Sequence, residues 1–256
     1  MILPLFQSNY SALRSLLTYD EPTEIDPAGQ VSVLSVCKKH DIRETFCFDT
    51  RFSGFPTLYK NAKKAGVSAR FGIKLTLTAD IEDKSEASLK TESQIIIWMN
   101  CSEGYQYLIK IYSKSFIDGF YYRPRLDIAT LRKMWHSSLS LMCPPFDNTI
   151  HNNQLKSRLS IPDFNGLAPT MTFARMELPF DSLLIPAIKQ FAEANKLGCL
   201  EVHPIYYYVR ADFDAYLALR CIGNKSHFDS PGVDFLCSRE FCYEAYEEKT
   251  KSPYKN

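Results

Sequence analysis

The sequence predicts an α/β fold in which strands and helices alternate, and three observations carry that reading. The hydrophobic period switches repeatedly between strand-like alternation and helix-like spacing of three and four. No fixed-period repeat and no compositional break interrupts the 256 residues, which favours one domain over two. Hydrophobic residues make up 45% of the chain and aromatics 13%, enough apolar surface to offset the ordering entropy of one large core.

Taken in order, Ile2 to Phe6 reads as a short buried strand and Asn9 to Leu17 as a helix with Leu13, Leu16 and Leu17 facing inward. Tyr19 to Gln30, with two prolines, a glycine and four acids, is a loop. Val31 to Val36 and Thr45 to Phe48 read as strands, and Phe55 to Ala65 has helical spacing at Leu58, Tyr59 and Ala62, with Gly66 as its stop. Arg70 to Leu77 alternates like a strand, whereas Asp80 to Glu92 is a charged surface excursion. Ser93 to Met99, with three consecutive isoleucines and a tryptophan, is a strand buried on both faces.

Ser102 caps the next helix, whose apolar face is Leu108, Ile109, Ile111 and Tyr112. Asp127 caps a second, ending at Trp135, and the strand Leu139 to Cys143 follows. Pro144 to Pro162 is the longest irregular stretch. Then come a strand over Met171 to Leu178, a helix over Leu183 to Asn195, a strand over Leu200 to Tyr208 and a last helix over Ala211 to Ile222.

Thirty basic residues balance 29 acidic ones, so the overall charge of +1 lacks the excess that nucleic-acid binders usually carry. The apolar start, Met1 to Phe6, holds a proline and no basic residue, which is neither a signal peptide nor a membrane span. Eight cysteines are scattered without a CxxC pair or finger-like histidines, the pattern of a reduced, cytoplasmic protein without a structural zinc site. The ten glycines form no phosphate-binding loop. His40, His136, His151 and His227 share no spacing and read as surface or loop residues.

One stretch is more specific than any of these patterns. Ser102-Glu-Gly-Tyr through Gly119-Phe-Tyr-Tyr-Arg-Pro-Arg-Leu-Asp127 resembles the polymerase and histidinol phosphatase (PHP) domain at the N-terminus of the alpha subunit of bacterial DNA polymerase III. Ser8-Asn-Tyr-Ser11, Gly54 to Gly66, Ile185 to Leu197 and Asp212 to Ile222 with the tail Phe235 to Glu240 agree in the same order. The resemblance implies a distorted β/α barrel over residues 1–256, with 223–256 as a C-terminal extension packed on or trailing it. It also implies, in active members, a phosphoesterase centre of His, Asp, Glu and Cys around two or three metals.

Matched position by position, that ligand set is largely replaced. The first pair falls on Leu5 and Gln7, the next on Phe48 and Asp49, a glutamate on Lys74, a histidine on Gln94, a cysteine on Cys143 and a late pair on Pro204 and Tyr206. Only Asp49 and Cys143 keep a useful donor, and a closed site wants about four. The expectation is a free-standing, degenerate PHP domain with no catalytic residue and no metal, acting as an interaction or structural module in DNA replication. A polymerase or exonuclease subunit would be its partner, with no membrane involved, and so compact a form would be at home in a virus or mobile element.

Two alternatives stay open. One is a phosphoesterase or exonuclease with a rebuilt zinc or manganese site around Asp49, Cys143 and His203. The other is a DNA-binding module using Lys60, Lys63, Lys64 and Arg70, or Arg123 and Arg125 beside Lys133 and nearby tyrosines. The second basic cluster reads equally as barrel framework, since Gly-Phe-Tyr-Tyr-Arg-Pro-Arg belongs to the resembling stretch. Asp80 to Glu92 and Pro144 to Pro162 are the preferred places for an interface.

Overall fold

The computed structural model describes residues 2–26, 29–155, 161–227 and 238–251. Residues 235–237 of the tail from Phe235 to Glu240 therefore lie outside the described residues, as does part of the expected C-terminal extension. In chain order the first elements are β1 (Leu3–Gln7), α1 (Val33–Lys39), β2 (Glu44–Asp49), α2 (Phe55–Ala65), β3 (Ser68–Leu77), α3 (Glu86–Leu89) and β4 (Ser93–Met99). There follow α4 (Gly104–Ile117), β5 (Arg125–Leu126), α5 (Ile128–Met134), β6 (Leu139–Cys143), α6 (Thr149–Leu155) and β7 (Thr170–Phe173). The last are α7 (Asp181–Ala194), β8 (Cys199–Ile205), α8 (Phe213–Asn224) and α9 (Tyr243–Lys251).

The strands are ordered β2-β1-β8-β7-β6-β4-β3-β5, and β2 pairs with β3 as well. This is the distorted β/α barrel that the resemblance implies. Part of the distortion is plain in the pairing, because β4 runs antiparallel to both β3 and β6.

Two compact units make up the chain. The first comprises Met1–Phe71, Arg175–Pro179 and Val202–Asn256. In it β1 lies parallel to β2, with Gln7 opposite Phe48, and parallel to β8, with Leu5 opposite Pro204. Its core includes Phe6, Leu34, Leu58, Ile205 and Tyr207. Gly66 ends α2 in the left-handed region at φ 69°, which a side chain would strain.

The second unit comprises Gly72–Ala174 and Phe180–Glu201. Its centre is β4, where Ile95, Ile96 and Ile97 are all buried, each worth about 1.5–3 kcal/mol against an exposed position. Asp127 caps α5 by accepting from the Thr130 amide at 2.6 Å. At the start of α4, a Cβ on Gly104 would stand 2.7 Å from the Ser138 carbonyl oxygen, so only glycine admits this close approach. Gly104→Ala should therefore cost about 1–3 kcal/mol, read from a chemical denaturation curve. An unchanged midpoint would mean that the two segments are not so tightly apposed.

Five elements differ from the sequence reading. Val31 to Val36 is not a strand: Ser32 accepts from the Leu34 amide at 3.1 Å and starts helix α1. Asn9 to Leu17 is not a helix beyond one 3-10 turn at Asn9–Ser11, because Ala12 and Leu13 take positive φ values of 45° and 59° and Leu13 points to solvent. Within Pro144 to Pro162 lies α6, and within the expected C-terminal extension lies α9. The strand expected over Met171 to Leu178 stops at Phe173, and Glu177 turns left-handed at φ 56°.

The described cysteines Cys37, Cys47, Cys101, Cys143, Cys199, Cys221 and Cys242 are free thiols. No helix among the described residues is long and apolar enough to cross a membrane.

Candidate functional site

Six of the nine positions matched to ligands lie in the first unit, on or just past three adjacent parallel strands. Leu5 and Gln7 stand on β1, Phe48 and Asp49 end β2, Pro204 lies in β8 and Tyr206 just beyond it. The side chains of Leu5 and Phe48 are buried, and Tyr206 is stacked between Tyr216 and Phe241 with centroids 5.7 and 5.4 Å away. Ser15 closes this corner, its hydroxyl donating to the Gln7 carbonyl at 2.5 Å and lying 2.8 Å from that of Tyr206.

Asp49 is fully buried and its carboxylate is held by hydroxyls. It accepts from the Ser8 amide at 3.2 Å, from the Ser8 hydroxyl at 3.0 Å and from Ser11 at 2.7 Å. Burial pushes its pKa up to about 6, against the pull of those hydrogen bonds. Tyr19 is buried near it, and desolvation together with the Asp49 charge holds that phenol well above its ordinary range. Sequence reasoning singled out Asp49 but not Ser8, Ser11 and Tyr19; the Ser8-Asn-Tyr-Ser11 motif was the available signal.

His203, the histidine nearest the late pair, is buried too. Its Nε2 donates to the carbonyls of Glu240 at 2.8 Å and Cys242 at 3.2 Å, and burial lowers its pKa to about 4. The imidazole is thus neutral and fastens the segment leading into α9. His40 meets Glu247 of α9 at 2.9 Å and Tyr208 at 3.2 Å, and His151 is buried on α6 rather than lying in a surface loop.

In the second unit, Gln94 of β4 donates to Thr76 at 3.2 Å, and Lys74 of β3 stands half-buried opposite Ile96. Cys143 ends β6 fully buried, and burial pushes its thiol up to about 12. A cavity of about 280 Å³ in this unit is lined by Thr78, Thr91, Ser93 and Thr149 together with Leu77 and Ile128, and by Arg132, which pairs with Asp163 at 3.2 Å.

The basic residues divide sharply. In the first unit Lys60 and Lys63 are exposed on α2, while Lys64 pairs with Glu21 at 2.5 Å and Arg70 with Glu44 at 2.7 Å. In the second unit Arg123 pairs with Glu92 at 2.9 Å. Arg125 is completely buried and presents no surface to a polyanion, so the framework reading of that cluster applies to it.

Residues 27–175, more than half of the chain, match the PHP domain. The chain belongs to the PHP domain family. A stretch of 113 residues, 43% of this chain, is 33% identical to the DNA polymerase III subunit alpha of Borreliella burgdorferi. The match spans only 10% of that protein's length.

The metals that a PHP domain implies do not fit the donors of this one. Leu5, Phe48 and Pro204 have no donor atom in their side chains, Lys74 carries a cation, and Tyr206 is stacked between rings. Asp49 is turned to the hydroxyls of Ser8 and Ser11. Among the described residues no three His, Cys, Asp or Glu side chains gather as ligands would.

Proposed function

We propose that this PHP domain is a non-catalytic interaction or structural module, working within DNA replication or a polymerase complex. The observation that supports it is the replacement of the ligand positions by buried packing, with the surviving Asp49 carboxylate satisfied by Ser8 and Ser11. In a metal-dependent phosphoesterase the cation polarises a phosphoryl oxygen and generates hydroxide from bound water. Packing of this kind keeps the framework while giving up the cation. The likeness to a polymerase III alpha subunit directs the search for a partner toward a polymerase or an exonuclease subunit supplied by another chain.

The test is metal content by elemental analysis of protein purified without chelator, paired with phosphodiesterase and exonuclease assays in added manganese. The expected result is substoichiometric metal and no turnover, with capture of a purified polymerase or exonuclease subunit in a binding assay. Stoichiometric metal, with activity lost in Asp49→Ala, would establish an enzyme with a rebuilt site and overturn this reading.

A further inference from the structure

Helix α2 of the first unit turns to solvent a face that holds lysine and tyrosine and no acid. Leu58, Asn61 and Ala62 are buried, while Tyr59, Lys60, Lys63 and Lys64 are exposed. At about 100° per residue these four fall within an arc of about 140°. None of the 11 residues of α2 is acidic. The whole chain is nearly neutral, so the face is a local segregation of charge and not part of a general excess.

The three lysines are not equally engaged. Lys64 pairs with Glu21 at 2.5 Å. That contact first, and the charge of Lys60 after it, hold the Glu21 carboxyl below its ordinary range, so Lys60 lies within electrostatic reach of the same acid. Among the described residues neither Lys60 nor Lys63 has an ion pair of its own, which leaves one carboxylate against three ammonium groups. Tyr59 stands in the same arc and is 61% exposed. Its ring lies 6.0 Å from that of Phe55, one turn earlier, and keeps most of its surface in water.

An acid-free row of ammonium groups is complementary to a polyanion, because each phosphate it neutralises releases condensed counterions. The ring among the lysines narrows the choice. A phosphate or a lipid headgroup has no use for it, whereas an unpaired base stacks on its face, and cations beside a stacking ring are how sequence-tolerant binding of a single strand is built.

We propose that the outward face of α2 is a docking surface for single-stranded DNA, with Lys60 and Lys63 on neighbouring phosphates, Tyr59 under a base and Lys64 masked by Glu21. The choice of DNA over RNA rests on the replication reading above.

Fluorescence anisotropy of a labelled oligo(dT) titrated with the full chain over a salt series tests it, with chelator present so that binding is read whether or not the domain hydrolyses DNA. Two neutralised phosphates should give a log–log salt slope of about −1.4 for the association constant, at about −0.7 each. Lys60→Gln combined with Lys63→Gln should raise Kd roughly tenfold at low salt and flatten the slope. Tyr59→Ala should raise Kd roughly tenfold with the slope unchanged, and Tyr59→Phe should restore it. Glu21→Gln, which unmasks Lys64, should bind more tightly and steepen the slope to about −2.1. That gain cannot come from a variant that fails to fold. Lys133→Gln, at an exposed lysine of the second unit, is the control and should bind as the wild type does. Metal content and capture of a polymerase subunit are read separately, so either reading can fail without the other. No saturable binding by the wild type at low salt, a Glu21→Gln that binds no better, a lysine pair or Tyr59→Ala no weaker than the control, or oligo(U) or a duplex bound more tightly than oligo(dT) would each overturn the proposal.

Discussion

Replacing Arg125 by methionine is expected to lower stability by about 3–5 kcal/mol, seen as a fall of roughly 10 °C in the melting temperature. Arg125 belongs to β5, paired to β3 with Thr76 opposite, and its side chain is entirely buried. The guanidinium reaches three segments at once. It donates to the Ser88 hydroxyl at 2.9 Å, to the Gly119 carbonyl at 3.2 Å and to the Asp83 carbonyl at 3.1 Å. It also lies 3.9 Å from the Glu92 carboxylate and over the ring of Tyr121. Methionine matches the bulk but leaves buried acceptors unpaired.

The second consequence concerns Glu92, whose side chain is almost buried. Burial raises its pKa, and the cations Arg123 and Arg125 pull it back. Without Arg125 it should take up a proton more readily, so the variant should lose more stability at high pH than at low. Arg125→Lys should recover only part of the loss, because one ammonium cannot reproduce a planar fork of donors aimed at several acceptors. Arg123→Ala, at a largely exposed side chain, is the control and should matter far less. A melting temperature unchanged in Arg125→Met would mean that the side chain is not committed to the framework, and would return it to the pool of possible polyanion contacts.

The same residue illustrates what the sequence could and could not show. Arg125 belonged both to a stretch resembling a known framework and to a run of positive charge, and only its burial decides between them. Elements with one dominant signal were legible: β4 from its three isoleucines, α2 from its spacing and terminal Gly66, and α5 from its Asp127 cap. Helix α1 was not, because Val33, Leu34, Ser35, Val36 and Cys37 are all buried, and a short run buried on every side has no period to read. The cap at Ser32 was the better guide. The turn at Ala12 and Leu13 had no glycine to announce it, and the polar α6 and α9 offered little apolar contrast. At the site, the replaced positions could be read one by one, but the partners of Asp49 come from residues up to 41 positions away and emerge only when β1 and β2 pair.

The last expectation follows from two buried groups of the first unit that titrate in opposite senses. Asp49 has its pKa raised to about 6 from 3.8, so the folded state holds that proton more tightly than the unfolded one. Its contribution to stability is complete below pH 3.8 and is lost as pH rises through 6, about 3 kcal/mol in all. His203 is lowered to about 4 from 6.5, so its contribution is complete above pH 6.5 and is lost as pH falls through 4, again about 3 kcal/mol. The two windows overlap, and in the wild type the slopes largely cancel between pH 4 and 6. Each substitution should uncover the other group. In Asp49→Asn, which keeps acceptor and donor capacity toward Ser8 and Ser11, stability should rise relative to wild type with increasing pH across that window. In His203→Gln, whose amide can still donate to the carbonyls of Glu240 and Cys242, it should fall. Denaturation curves at pH 4, 5, 6 and 7 separate the two, and parallel pH profiles for both variants and the wild type would show that neither group is buried as described.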